Sequence, residues 1–396
     1  VPNHEHLLHE ILELEVVDTH THLVGDRLCA KDFWEIAHYF WFYRELQAGG
    51  YPNDAERLPE DERISAFLDA YRATANTLMN WVFTKIMNDL YGVRIRDANS
   101  VREADEAVRG SSVTPGWARR TAAKMRVREF AVNIPEHADF RGMDRPGILI
   151  PRIDGKIHEW MDTVHRSPDP AGAFEQAQAE AHALIDGFRE MNCPGIMTTL
   201  PRYDASANQT YSFSPGMPSD QVLMLLLHSI CRRVEENGML LQLFLGVERS
   251  WSAMAFPAND PARILKLSAL FERYRCPFEL VVASEINNLD VVQAAWNFPN
   301  VHVGGMWWFN FRASTYKAAM QYRLEALPAL KSSLVVSDAR CIEWSYGKIL
   351  LVKHLLSEFL SERIEAGWLD NELALQVARD WLYGSAAQRY GVGVGS

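Results

Sequence analysis

Leu14-Glu15-Val16-Val17-Asp18-Thr19-His20-Thr21-His22 is the stretch on which the reading of this chain turns. An apolar pair, Val16 and Val17, runs into a polar cluster with two histidines spaced i, i+2. Alternate side chains of an extended strand face the same way, so His20 and His22 can point at one spot. Two imidazoles on one side form half of a site for a borderline-soft metal. The chain supplies its own control: His4-Glu5-His6 has the same spacing but no apolar strand before it and a helical pattern after it. His20 and His22 are therefore the expected ligands, and His4 and His6 are not.

Working outward, Asn3 to Glu13 places Leu7, Leu8, Ile11 and Leu12 at helical spacing and leads into this strand. Beyond His22, Ala30 to Leu46, Asp61 to Tyr71 and Thr77 to Tyr91 are aromatic-rich with helical periodicity, a helical insertion. From about residue 115 short apolar runs alternate with helical segments such as Gly172 to Asn192 and Ser219 to Asn237. The predicted strands are Val127–Asn133, Gly147–Arg152, Gly195–Leu200, Leu240–Gly246, Phe278–Ala283, Val301–Trp308 and Leu334–Asp338, eight with the histidine strand. Strands with little alternation are buried on both faces, as in a parallel sheet. The expected fold is α/β, a (β/α)8 TIM barrel with a helical insertion after the first strand. Its expected parts are residues 1–26 (leading helix and first strand), 27–115 (insertion) and 116–396 (remainder of the barrel). An open doubly wound sheet is the runner-up, weakened because no Gly-x-Gly-x-x-Gly turn follows any strand.

The 396 residues carry a net charge of −11, which argues against a nucleic-acid partner. The longest apolar run, Val222 to Leu227, is far too short to span a membrane, and the first residues lack the layout of a signal peptide. Five scattered cysteines, none in Cys-x-x-Cys spacing, fit free thiols and a cytoplasmic location. The aromatic insertion is expected to contribute to a subunit interface in a homo-oligomer.

The last predicted strand ends Ser337-Asp338-Ala339-Arg340. Asp338 there would add an anionic ligand beside His20 and His22; the competing reading is a helix N-cap in a strand-to-helix loop. Such a donor set suits one divalent ion, zinc first, with manganese or iron as alternatives. Arg152, Arg249 and Arg340 each follow a predicted strand and together could clamp a carboxylate.

The strings Asp18-Thr19-His20-Thr21-His22, His38-Tyr39, Trp307-Trp308-Phe309-Asn310 and Ser337-Asp338-Ala339-Arg340 resemble the uronate isomerase family, a divergent branch of the amidohydrolase superfamily. The likeness is collinear over nearly the whole chain, and Trp-Trp-Phe-Asn followed by Asp-x-Arg is its most specific part. It implies a metal on His20, His22 and Asp338, with His38, Tyr39, Arg152, Arg249, Trp307 and Arg340 as further site residues. On that reading Arg152 and Arg340, then Arg249, hold the carboxylate of a sugar acid. His38 and Tyr39 reach its hydroxyls and Trp307 walls the pocket. The implied reaction is aldose–ketose interconversion of a hexuronate or similar sugar acid. The proton carrier would be Asp338, metal-activated water or Tyr39, in that order, with Glu248 and Glu285 as substitutes near strand ends. Two departures stand out. The family's fifth-strand histidine is Phe244 here, and its fourth-strand Asp-His pair is replaced within Met197-Thr198-Thr199-Leu200. Phenylalanine cannot move a proton, and threonine is no general base near neutral pH. Two other readings are therefore carried: hydrolysis of a lactone or ester by metal-activated water, and non-catalytic binding of a sugar acid.

Overall fold

The computed structural model describes residues 4–249, 255–257 and 259–393, without the side chains of residues 4, 248, 249, 255 and 256. The chain divides into two compact units. The first comprises Val1–Phe130, Glu136–Gly147 and Ser337–Asn371; the second comprises Ala131–Pro135, Ile148–Val336 and Glu372–Ser396.

In the first unit a helix, His4–Leu12, buries Leu7 and Ile11 and delivers the chain to β1 (Val16–Thr21). All six β1 residues are buried, the pattern of a strand covered on both sides. The Val16 amide bonds to the Arg126 carbonyl, just ahead of β2 (Val127–Val132). Residues 33–112 carry the helices Phe33–Ala37, Phe40–Ala48, Glu60–Ala73, Leu78–Tyr91 and Ala98–Ser112. Their core is aromatic: Phe33, Phe42, Phe67 and Phe83 are fully buried and pack ring against ring. The 24-residue helix Ile342–Glu365 closes the unit. It approaches Leu78–Tyr91 at Gly347, where a Cβ would stand 2.6 Å from Val82, so only glycine permits the contact.

The second unit is built on parallel strands. The end of β2 pairs with β3 (Ile148–Leu149), and a bridge joins Arg152 to Met197 in β4 (Gly195–Thr199). Then come β5 (Leu240–Leu245), an antiparallel hairpin of β6 (Val247–Arg249) and β7 (Ala255–Pro257), β8 (Phe278–Val282) and β9 (Val301–Val303). The order β4-β5-β8-β9 is parallel throughout. Side chains alternate as a period of two requires. Leu241, Leu243, Leu245, Phe278, Leu280 and Val282 join a core shared with the helices Pro170–Glu190 and Ser219–Glu236. The opposite face presents Gln242, Phe244 and Glu279, all fully buried. There Tyr390 Oη donates to Glu279 at 2.8 Å and Gln242 Nε2 donates to Tyr390 at 2.8 Å.

Three expectations need correction. Leu334–Asp338 lies in no ladder, because its bonds are single ones to separate partners, such as Leu334 N–H to Trp381 O and Met306 N–H to Leu334 O, and Asp338 leaves strand geometry at a φ of 53°. The run from Val301 stops being a strand at Val303 and turns into a 3-10 helix at Trp308–Asn310, with Trp308 at a φ of 51°. The hairpin β6–β7 was not expected at all. Hydrogen bonding closes no sheet into a cylinder among the described strands. No helix of the described residues is long and apolar enough to cross a membrane.

Candidate metal centre

All three expected ligands belong to the first unit. His20 in β1 and His22 just beyond its end come together, with ring centroids 4.9 Å apart and planes at 83°. Asp338 Oδ1 lies 3.4 Å from His20 Nε2 and 3.0 Å from His22 Nε2. One ligand atom from each residue can be chosen so that all lie within 4.8 Å of one another, the group of this kind found among the described residues. Two ligands about 2.0–2.1 Å from a tetrahedral ion lie roughly 3.3 Å apart, so the donor set fits a transition metal. Burial alone would raise the Asp338 carboxyl, but the hydrogen bonds and charges of His20 and His22 outweigh it and hold the carboxyl well below the usual range. His20 is buried while His22 is 34% exposed, which leaves one side of the cluster open. The N-cap alternative for Asp338 is not realised: Cys341 caps the following helix, and Asp338 turns instead through left-handed backbone at a φ of 53°.

Tyr39 is buried beside this cluster. Its Oη donates to the Asp338 carbonyl at 2.8 Å and accepts from Lys348 Nζ at 2.7 Å, while its ring stacks on Trp344. Burial, reinforced by the Asp338 charge, raises the phenol well above its usual range, so Tyr39 stays protonated and serves as a donor, not a base. His38 lies 3.0 Å from Tyr51 Oη and 3.4 Å from Glu56; burial lowers its pKa against the opposing pull of Glu56. A cavity of about 650 Å³ opens here, lined among others by His38, Tyr39, Trp34, Tyr43, Arg63 and Arg340. Its size and its mixture of aromatic and charged walls suit a small polar ligand. Arg340 is exposed. Arg63, which no spacing in the sequence marks, stacks 4.1 Å over the Trp34 ring.

The remaining expected residues lie in the second unit. Arg152 follows β3, but its guanidinium is engaged by Asp154, with Nη2 to Oδ2 at 2.9 Å, and reaches Thr199 Oγ1 at 3.4 Å. Trp307 is buried, and Phe244 meets it edge to face at 4.9 Å, so the fifth-strand position is a closed apolar contact with no proton carrier. Glu285 is exposed. Arg249 ends β6, and its side chain, like that of Glu248, lies outside the described residues. Of the other histidine pair, His6 lies 3.1 Å from Glu10 on an exposed helix face, and the side chain of His4 lies outside the described residues. Lys348 and the buried Asp18, both tied to Ser337, are the residues that spacing did not mark as functional.

No protein-family model matches the sequence, and no curated protein matches it. Solved structures do. A uronate isomerase from Thermotoga maritima superimposes with a TM-score of 0.79 at 15% identity, covering 98% of this chain and 97% of that one. This is the uronate isomerase fold. A uronate isomerase from Bacillus halodurans gives a TM-score of 0.77 at 16% identity, over 98% and 96% of the two chains. A glucuronate isomerase from Caulobacter crescentus gives 0.79 at 14%, over 98% and 94%. The neighbours of the fold are thus enzymes, while identities this low carry no reaction across with them.

Proposed function

We propose that the protein is a metal-dependent sugar-acid isomerase that interconverts the aldose and ketose forms of a hexuronate or a closely related acid. The observation that carries this reading is the convergence of His20, His22 and Asp338, with Tyr39, which bonds the Asp338 carbonyl, also lining a cavity together with His38 and Arg340. The full length of the superposition on uronate isomerases supports it. We further propose that the strands form a closed (β/α)8 barrel with residues 332–336 as the eighth member. Within the second unit Ser332 pairs with Val303, and Gly305 packs flat on Val335 and Val336. Within the first unit, Asp338 and His22 bond to the backbone of His20 and Ala339 respectively.

His20, His22 and Asp338 would hold the ion. A bound divalent ion supplies polarisation of the open-chain carbonyl and the hydroxyl beside it, which acidifies the C–H between them. The reaction moves one proton from C2 to C1 and another from O2 to O1, with no net loss of atoms. The ionised Asp338 carboxylate is the proposed carrier, since Phe244 excludes a fifth-strand base and Tyr39 remains protonated. The Arg340 guanidinium is proposed to hold the substrate carboxylate at the cavity wall. His38, kept neutral by burial, can exchange hydrogen bonds with sugar hydroxyls.

The test is direct: protein loaded in turn with Zn²⁺, Mn²⁺ and Fe²⁺ is incubated with D-glucuronate and D-galacturonate, and ketose formation is followed. Turnover that disappears in Asp338→Asn is the expected result; no ketose with any metal rejects the reading. Hydrolysis is the second reading. It is favoured by a Lactobacillus casei structure assigned as a metal-dependent hydrolase, with a TM-score of 0.64 at 13% identity. A panel of sugar-acid lactones separates the two, because a hydrolase releases acid and an isomerase does not.

A further inference from the structure

The run Ser337-Asp338-Ala339 carries the ligand carboxylate on a left-handed residue, and each of its peptide groups has a partner. The N–H groups of residues 337, 338 and 339 donate to Asp18 Oδ1 (2.9 Å), the His20 carbonyl (3.0 Å) and Ser337 Oγ (3.2 Å). The carbonyls accept, in the same order, from Lys348 Nζ (2.6 Å), Tyr39 Oη (2.8 Å) and the His22 N–H (2.8 Å). Two of these six bonds trace to one ammonium group. Lys348 Nζ grips the Ser337 carbonyl directly, and it donates to the phenol oxygen that in turn holds the Asp338 carbonyl. A strained conformation persists only where its surroundings over-determine it. Lys348 is 2% exposed, so no substrate reaches its nitrogen, and its hydrogen bonds reach this run through these two carbonyls, one directly and one by way of Tyr39.

We infer that Lys348 is a positioning residue for the metal centre: with Tyr39 as its intermediary it fixes the left-handed turn that aims the Asp338 carboxylate between His20 and His22. This rests on the metal reading of the three ligands but not on the isomerase reading. It assigns a function to a lysine that would otherwise serve only to neutralise the buried Asp18 and Asp338 charges around it.

Co²⁺ binding tests it without any assay of turnover, because the visible absorption of bound Co²⁺ follows ligand geometry. The full-length wild type, Lys348→Met, Tyr39→Phe and the double variant are titrated with Co²⁺, with far-UV circular dichroism reporting the fold. Groups that orient metal ligands typically contribute about 10- to 100-fold in metal affinity. Lys348→Met should therefore bind Co²⁺ roughly 10- to 100-fold more weakly, with a shifted absorption band. Tyr39→Phe should move in the same direction by less, and the double variant should be no weaker than Lys348→Met alone. A folded Lys348→Met protein with wild-type affinity and band overturns the inference, as do independent losses that multiply in the double variant. If Lys348→Met does not fold, Tyr39→Phe decides alone, and an unaltered band and affinity overturn it. A wild type that takes up no Co²⁺ overturns this inference and the metal reading together; uptake that the variants leave untouched overturns this inference only.

Discussion

Asp338 combines two demands that few residues meet. It must present a carboxylate to two imidazoles and must sit at a φ of 53°, where a β-carbon crowds the following carbonyl. Aspartate and asparagine tolerate that conformation better than other side chains with a β-carbon, because their short polar groups bond locally. Asp338→Asn should accordingly keep close to wild-type stability in urea while losing metal uptake. Asp338→Ala should lose metal uptake and also about 1–2 kcal/mol of stability for the left-handed backbone. Equal stabilities of the two variants would show that the turn is relaxed and places no constraint on the side chain. The same residue was legible in the sequence, as a carboxylate at the end of an apolar run. Lys348 was not: it lies ten positions on, and nothing in that interval says that the helix folds its ammonium back under the preceding turn.

Among the elements, those written in hydrophobic periodicity could be read and those written in capping and hairpin chemistry could not. β4, β5 and β8 fall within the expected runs because apolar residues of each are buried in one core, and β1 does so on Val16, Val17 and the polar residues after them. The Ala98–Ser112 helix has no counterpart in the reading of the sequence, since it is largely polar and starts from an Asp97–Ser100 capping box, not an apolar stripe. The β6–β7 hairpin is equally silent, with Glu248 and Arg249 making two of the three β6 residues. The Ile342–Glu365 helix shows the complementary case: every residue from Ile342 to Lys353 is buried, so its buried charged residues must find partners. Glu343 does so by accepting from the Ala30 amide, Tyr91 Oη and Trp117 Nε1, at 3.0, 2.9 and 3.0 Å. Glu343→Leu strands one buried and two half-buried donors and should cost roughly 3–5 kcal/mol. Glu343→Gln keeps the oxygen that serves Tyr91 and Trp117 and should cost about 1–2 kcal/mol in the same denaturant titration. A leucine variant as stable as the glutamine one would mean that these donors find other partners.

For the molecule as a whole, stability toward acid follows from groups that fold in their uncharged form. His302 in β9 is the clearest: burial, aided by the Arg389 and Lys331 charges, pushes its pKa down to about 3. An unfolded histidine titrates near ~6.5, so between about pH 3 and pH 6.5 the unfolded chain binds a proton that the folded chain refuses. Stability must therefore rise with pH across that window, and fall as pH drops, by at most ~1.4 kcal/mol per unit from this residue. Urea midpoints taken between pH ~4.5 and pH ~7.5 should show that slope in the wild type and a shallower one in His302→Gln. Equal slopes would assign the acid sensitivity elsewhere.

The amide of Ser337 reaches back 319 residues to Asp18. During synthesis, then, the histidine strand leaves the ribosome long before the segment that completes its site. At about 5–20 residues per second the wait is roughly 15–60 s. Throughout that interval the two imidazoles stand on the nascent chain without the carboxylate that completes their cluster. On the proposed metal reading, cation loading belongs to the end of translation, when Asp338 joins the two imidazoles.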